Sequence, residues 1–448
     1  MFITLNRKLE QPLYVQLYEQ IKHKILVQDI ASHEKLPSKR ELKNDLGISM
    51  TTVEHAYAML VDEDLIYAKP KSGYYATAHD GITFESKAAQ IIKKPNITEP
   101  VLPLGTIDTS IIQSATIQQI AKEIYADKKL FNKGDSSGED ILKQAIYNHI
   151  HEHRGVTCSI DQIVVGPSTE FLLDQLMHLL DFPKISIEDP GYPVVKKVLK
   201  KHRIDFDAVK VESNGIDVDD VSHPVVHITP SHQFPTGAVL SLQKRIQLLQ
   251  RAEEGYVIED DYDSEFRYEG RPLPSLHSLD QNDRTIYMTT FSKVLFPSLR
   301  LACMVLPKAL IEKYYQQNYT CDVPRHLQHI VAKYINGGYL NRHINRVRKI
   351  YRQRMLEVLE FLGEFYPEVE VSGAHTGMHI LLRMPGEDLE LRAGEHRISS
   401  LNDYAVHKHY EDTIVIGTGE ASIEEIKEIL KAFFDNKKAP GEIYHSGV

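Results

Sequence analysis

The stretch Thr289–Arg300, TTFSKVLFPSLR, sets one lysine, Lys293, behind small hydroxyl residues and an aromatic, with Arg300 closing the segment. It continues a β-rich run, TIYMTT. A lysine at a strand end among apolar neighbours is partly desolvated, which lowers its pKa and turns the amine into a nucleophile toward aldehydes. Such an amine rarely works alone, because a bound aldehyde cofactor also needs its ring and phosphate held. The neighbouring β-runs offer those parts. From Leu104 to about Asn436 short β-rich runs (QIVV, KISIED, VVHIT, YVIED, TIYMTT) alternate with helical stretches. That alternation predicts an α/β domain with a mostly parallel sheet.

Four segments supply the parts. YVIEDDYDSEF is a β-run ending in acids, and a carboxylate at a buried strand end keeps a pyridine nitrogen protonated. Asp260 takes that role, with the hydroxyl of Tyr262 available to the ring's 3-oxygen. VVGPSTEFLLDQL reads as strand, turn and helix, so the N–H groups at Ser168 and Thr169 form a phosphate cradle. In EDPGYP, Tyr192 follows a Pro-Gly turn and can lie against the cofactor ring. Thr290, Ser292 and Arg300 flank Lys293 and face the phosphate from the other side. Together these describe a pocket for pyridoxal 5′-phosphate.

The N-terminal block, residues 1–78, has a different grammar. Leu13, Leu17, Ile21 and Ile25 recur every four positions behind Pro12; LPSKRELKNDLG follows, with Gly47 placed to end a helix; Ser49 can cap a third helix burying Val53, Ala56, Tyr57 and Leu60. IYAKPKSGYYA then reads as a hairpin. Three helices and a hairpin predict a winged helix-turn-helix. Its third helix would present Thr51, Thr52 and His55 to base edges, behind Met50. Ser38, Lys39 and Arg40 open the second helix and offer a phosphate contact; Lys71, Ser72 and Gly73 form the wing tip.

Composition fits this division. The chain has 448 residues, 42% hydrophobic and 25% charged, which predicts a soluble protein of more than one domain. The net charge of −10 excludes a uniformly basic nucleic-acid binder and confines any DNA contact to a local patch. Three cysteines without paired spacing and no apolar signal core or membrane-length run predict a cytoplasmic location. Residues 79–103 read as a linker, 104–436 as the cofactor-binding domain and 437–448 as a tail. His149, His151 and His153 read as a solvated helix end; no metal is expected.

The first block resembles the DNA-binding domain of GntR-type bacterial regulators through LPSKREL, LGIS, TTV, AYAML and KSGYYA, although Met50 stands where those domains usually carry Arg. FSK followed by PSLR, together with EDDYDSEF, EDPGYP and TPSHQFPTG, extends the resemblance to the MocR family. In that family a GntR-type reader is fused to a domain similar to fold-type-I aminotransferases. The resemblance implies a Schiff base between pyridoxal 5′-phosphate and Lys293, with Asp260 at the pyridine nitrogen, Tyr262 at the 3-oxygen and Tyr192 on the ring. It also implies a homodimer, two operator half-sites in double-stranded DNA, and an effector that is an amine, an amino acid or the cofactor itself. Aminotransferases carry Asn before Pro-Thr-Gly, where this chain has Phe234. No motif supplies an arginine for a substrate carboxylate, Arg383 and Arg397 being unanchored by any pattern. These departures favour a sensor over the alternative, a working aminotransferase with an accessory N-terminal module. Effector identity, target genes and the sense of regulation are not written in the sequence.

Overall fold

The computed structural model describes residues 3–7, 9, 11–78, 99–268 and 273–435. These fall into two compact units that divide between residues 96 and 97. Residues 79–98 of the expected linker and the expected tail, 437–448, lie outside the described residues. The last part of the segment read as linker is built into the second unit instead. Leu102 is buried in an apolar cluster, and the Val101 N–H donates to the Arg397 carbonyl. Two prolines had made this stretch look like punctuation, but its apolar residues find a core.

In the first unit α1 (Leu13–Leu26), α2 (Lys39–Leu46) and α3 (Met50–Asp62) precede a hairpin of β1 (Ile66–Lys69) and β2 (Gly73–Ala76). The Leu17, Ile21 and Ile25 stripe meets Val53, Ala56, Tyr57 and Leu60 in one core. Burial of each large apolar side chain contributes about 1.5–3 kcal/mol before chain entropy is counted. Ser38 and Glu41 form a reciprocal capping box at the start of α2, Gly47 (φ 60°) ends that helix, and Ser49 caps α3. Gly47 is needed there because its left-handed backbone is costly for any residue with a Cβ.

The second unit begins with α4 (Ser114–Ile124) and α5 (Asp140–Arg154). It then alternates β3 (Ile163–Gly166), α6 (Thr169–Leu179), β4 (Lys184–Asp189), β5 (Asp205–Glu212), β6 (Gly215–Ile216), β7 (Val225–Ile228), β8 (Tyr256–Asp260), β9 (Thr285–Thr290) and β10 (Ala302–Val305) with further helices. The sheet order is β3-β10-β9-β8-β7-β4-β5-β6. The pairs from β9 through β8, β7 and β4 to β5 are parallel, while β10 runs antiparallel to both neighbours and β6 to β5. Successive residues feed opposite faces: Val165, Tyr287 and Cys303 enter one core, and Val164, Met288 and Met304 the other. Such a sheet collects ligands beyond the carboxyl ends of its strands.

A second sheet was not foreseen. β11 (Glu370–Ser372), β12 (His379–Arg383), β13 (Ser399–Ser400) and β14 (Thr413–Gly417) pair antiparallel in the order β11-β12-β14-β13. They pack on the long helix Tyr339–Phe365. Two of the sheet's strands, β11 and β13, have only three and two residues, too short a pattern to read.

Candidate cofactor site and DNA interface

The carboxyl ends of β3, β8 and β9 and the start of α6 converge on a cavity of about 220 Å³. All nine residues read as cofactor contacts line it: Lys293, Asp260, Tyr262, Tyr192, Ser168, Thr169, Thr290, Ser292 and Arg300. Gly105, Glu170, Thr229, Phe234 and Pro297 complete the wall. Sequence reasoning missed Gly105. Its φ of +76° and the lysine amine, 2.9 Å from where a Cβ would sit, mark it as a close backbone approach.

Lys293 follows β9, and its Nζ lies 4.0 Å from the centroid of the Tyr262 ring and 6.0 Å from that of Phe234. Burial lowers its pKa, while Asp263 and Asp260 oppose that shift. Asp260, at the end of β8, is buried and its Oδ1 has no hydrogen-bond partner among the described residues. Burial pushes the carboxyl up to about 7; the Lys293 charge works the other way, and Asp261 and Asp263 add to the rise. His227 Nε2 stands 3.9 Å from Asp260 Oδ2, but burial pushes that imidazole down to about 4, so it stays neutral and supplies no charge.

Ser168 caps α6 through its hydroxyl, accepting from the Phe171 N–H. The N–H groups of a first helical turn have no partner within the helix and carry the positive end of its dipole. Thr290 Oγ1 accepts from the Ser292 N–H and donates to the Leu301 carbonyl. Arg300 is exposed and its side chain makes no ion pair among the described residues. Its left-handed backbone (φ 49°) departs from ordinary arginine geometry. Tyr192 meets Phe234 edge-on, with centroids 5.5 Å apart.

This donor set fits pyridoxal 5′-phosphate. An unpartnered buried carboxylate oxygen suits a protonated ring nitrogen, the lowered-pKa amine suits an aldehyde, and a helix start with two hydroxyls and a guanidinium suits a phosphate. The neighbouring acids are not a solvated turn. Asp261 is buried against Arg154, the last residue of α5, and Asp263 against His232. Arg154 carried no sequence signal, since its partner lies 107 positions away. The histidine run also differs from expectation. His149 is buried, 3.7 Å from Glu265, because α5 turns it toward the core, whereas His153 reaches Asn341 near the surface.

A pH effect follows from Asp260. A carboxyl whose folded pKa is raised holds its proton longer than the unfolded chain does, so stability falls as pH rises from about 4 toward about 7. Without cofactor, Asp260→Asn is therefore expected to melt at a higher temperature than the parent at pH 8, with the gap shrinking by pH 5. Thermal melts at both pH values check this.

In the first unit the expected contacts are placed on α2, α3 and the wing. Arg40 is exposed, and its side chain makes no ion pair among the described residues. Lys39 lies over the Tyr74 ring, 5.3 Å from its centroid. The start of α2 is not the open anion site expected, because the Ser38 N–H already donates to the Glu41 carboxylate and the Ser38 hydroxyl accepts from the Glu41 N–H. Thr51 and His55 are exposed on α3, while Thr52 shares its hydroxyl with Ser49. At the wing Lys71 (φ 60°) precedes Gly73 (φ 117°), and Ser72 is hydrogen-bonded to Tyr75. Lys69, with its Nζ 4.4 Å from the Tyr75 centroid, adds a further cation to the hairpin.

Residues 13–75 match the family described as bacterial regulatory proteins, gntR family, and residues 103–407 match aminotransferase class I and II. The probable rhizopine catabolism regulatory protein MocR of Rhizobium meliloti is 30% identical over 79% of this chain and 77% of its own length. The chain belongs to the MocR family. An uncharacterized HTH-type transcriptional regulator of Bacillus subtilis, YdeL, is 36% identical over 95% of this chain and 97% of its own. The pyridoxine biosynthesis regulator PdxR of Corynebacterium glutamicum is 30% identical over 97% and 98%. Among solved structures, the kynurenine aminotransferase of Pyrococcus horikoshii superposes with a TM-score of 0.68 at 25% identity, covering 77% of this chain and 93% of that one. This MocR-family chain is thus a transcription regulator with a GntR-type DNA-binding domain and an aminotransferase-like domain. Neither Arg383 nor Arg397 lines its cavity. Arg383 pairs with Asp412 and Glu370, and Arg397 donates to the Glu99 carbonyl.

Proposed function

We propose that this regulator holds pyridoxal 5′-phosphate at Lys293 and reports the state of that site to DNA. The carrying observation is the convergence of nine residues on one cavity with an unpartnered Asp260 oxygen facing it. When bound, the cofactor supplies an electrophilic carbon for an amine. Around it, Lys293 provides the attaching nitrogen, Asp260 holds a proton at the ring nitrogen, and Tyr262 meets the 3-oxygen. Tyr192 and Phe234, which line the same cavity, would shield the ring from water. The start of α6, with Thr290, Ser292 and Arg300, binds the phosphate. With Arg383 and Arg397 engaged elsewhere, Arg300 is the one guanidinium that lines the cavity among the described residues, which favours sensing over turnover. The effector is then the cofactor itself or a simple amine. The name of the relative PdxR, which refers to pyridoxine biosynthesis, supports the former. To switch DNA binding, the effector has to favour one arrangement by a coupling of about 1–3 kcal/mol. As a cytoplasmic homodimer the protein would carry two readers for two half-sites.

Operator binding measured with and without pyridoxal 5′-phosphate, then with a panel of amines and amino acids, tests this. The proposal expects a change of five-fold or more with at least one of them, within the ~5–150-fold range typical of such coupling; no change with any would refute it. On the DNA side, Arg40→Ala is expected to weaken binding and to lower the slope of log affinity against log salt by about 0.9, one phosphate contact. Gel-shift titrations at several salt concentrations read the slope; an unchanged slope removes Arg40 from the phosphate contacts.

A further inference from the structure

Behind Tyr262 lies a buried pair that the cofactor reading leaves unused. His232, in the loop after β7, and Asp263, just beyond β8, have side chains 0% and 3% exposed. His232 Nδ1 is 2.8 Å from Asp263 Oδ2 and 3.1 Å from the Tyr262 hydroxyl oxygen. The imidazole lies nearly parallel to the Tyr262 ring, 27° off, with centroids 6.0 Å apart. Gly377 makes room for it: a Cβ there would stand 2.0 Å from His232 Cε1 and 2.7 Å from Asp263 Oδ2.

The arrangement fixes where hydrogens go. A bare Nδ1 against a carboxylate oxygen would set lone pair against lone pair in a buried place, so Nδ1 carries its hydrogen and donates it to Asp263. His232 Nε2 has no hydrogen-bond partner among the described residues. Tyr262 cannot donate into an occupied N–H. Its oxygen is steadied by that group while its own hydrogen is left for an acceptor in the cavity. Phe234, on the same wall, offers no donor. We infer that His232, held by Asp263, is a positioning residue that aims the Tyr262 hydroxyl at the group carried by Lys293.

This deepens the cofactor reading and rests on it. The consequence is a set titration point. A hydroxyl donating to the cofactor's ring oxygen stabilises the charge left there when the linked nitrogen loses its proton, so it lowers the pH of that loss. The Asp263 carboxylate already acts on the Tyr262 hydroxyl as a competing acceptor; without the Nδ1 hydrogen its Oδ2 is vacated and can take the Tyr262 hydrogen as well. The hydroxyl turns away and the titration point rises. The other charged and titratable groups facing this spot are Asp260 and Glu188, which act on Tyr262, and His379 on β12, 4.7 Å from His232. Burial foremost keeps His379 well below the ordinary histidine range, and so uncharged. Arg300 and Glu170 line the cavity mouth.

The test is a pH titration of the visible spectrum of the full-length protein loaded with pyridoxal 5′-phosphate. His232→Gln places its amide near the Nε2 position and loses the Nδ1 donor; His232→Asn keeps a donor near Nδ1. The midpoint is expected to rise by about one unit or more in His232→Gln, to match Tyr262→Phe, and to rise no further in the double variant. His232→Asn is expected to stay near the parent. Equal midpoints in His232→Gln and the parent, while Tyr262→Phe shifts, would overturn the inference. If His232→Gln does not fold, His232→Phe, which keeps the ring and lacks both nitrogens, is read by the same criterion. A parent protein that gains no visible band would instead defeat the cofactor reading beneath it.

Discussion

Lys293→Ala is expected to stay colourless after incubation with pyridoxal 5′-phosphate and to release the compound on dialysis, where the parent keeps both colour and compound. The amine sits against Gly105 and over the Tyr262 ring, with Asp260 and Asp263 both acting on it. Among the described residues no other lysine lines the cavity. Removing it takes away both the attaching atom and the cation that offsets two buried carboxylates. Retention is expected to weaken at least about a hundredfold, about 2.8 kcal/mol. Lys293 fills no apolar core position, so the variant is expected to fold and still bind operator while losing any response to the cofactor. Absorbance spectra, equilibrium dialysis and gel shifts read the three results. A variant that keeps its band would place the attachment elsewhere.

Arg154→Ala is the second large effect, on stability rather than binding. The guanidinium donates from Nε to Asp261 Oδ2 at 2.6 Å and from Nη2 to Asp261 Oδ1 at 3.2 Å. It also reaches Ser231 Oγ and the Leu273 carbonyl. Asp261 accepts from Tyr287 and Ser264 as well, but those are neutral donors. Cutting a buried pair on one side strands a charge in low dielectric, which costs about 3–5 kcal/mol. Urea unfolding of the cofactor-free protein measures this. Replacing both partners by apolar residues is expected to cost less than Arg154→Ala alone, because nothing charged is then left behind. A loss under about 1 kcal/mol would mean that water or another group takes over at Asp261.

The site was legible because its residues fall at strand ends within short quoted runs. Lys293, Asp260 and Ser168 could each be placed from a β-run and the turn after it. The structure explains why, of three adjacent acids, Asp260 is the one that lines the cavity. Side chains alternate across a strand, so Asp260 faces the cavity, while Glu259 turns away to accept the Leu276 and His277 N–H groups. What escaped was whatever depends on distant partners. Arg154 ended a histidine-rich helix without any sign of Asp261. His232 stood in TPSHQFPTG, a run quoted for its family likeness, yet nothing local tied it to Asp263 and Tyr262. Likewise, the Ser38 hydroxyl and N–H, read as part of a phosphate contact at the start of α2, are taken up because Glu41, three residues inside the helix, closes a capping box on Ser38. That acid was in plain view, and [ST]-x-x-E is its pattern.

Gly377 ties two distant parts of the chain together through descent. Any side chain at 377 collides with the imidazole at 232, so the glycine cannot change while the histidine stands. A lineage that gives up the histidine is released from half of this constraint only. The backbone at 377, with φ of +73°, still disfavours most residues and tolerates Asn or Asp best after glycine. Substitution at 377 is therefore expected only after His232 has been replaced, and then chiefly by Asn or Asp.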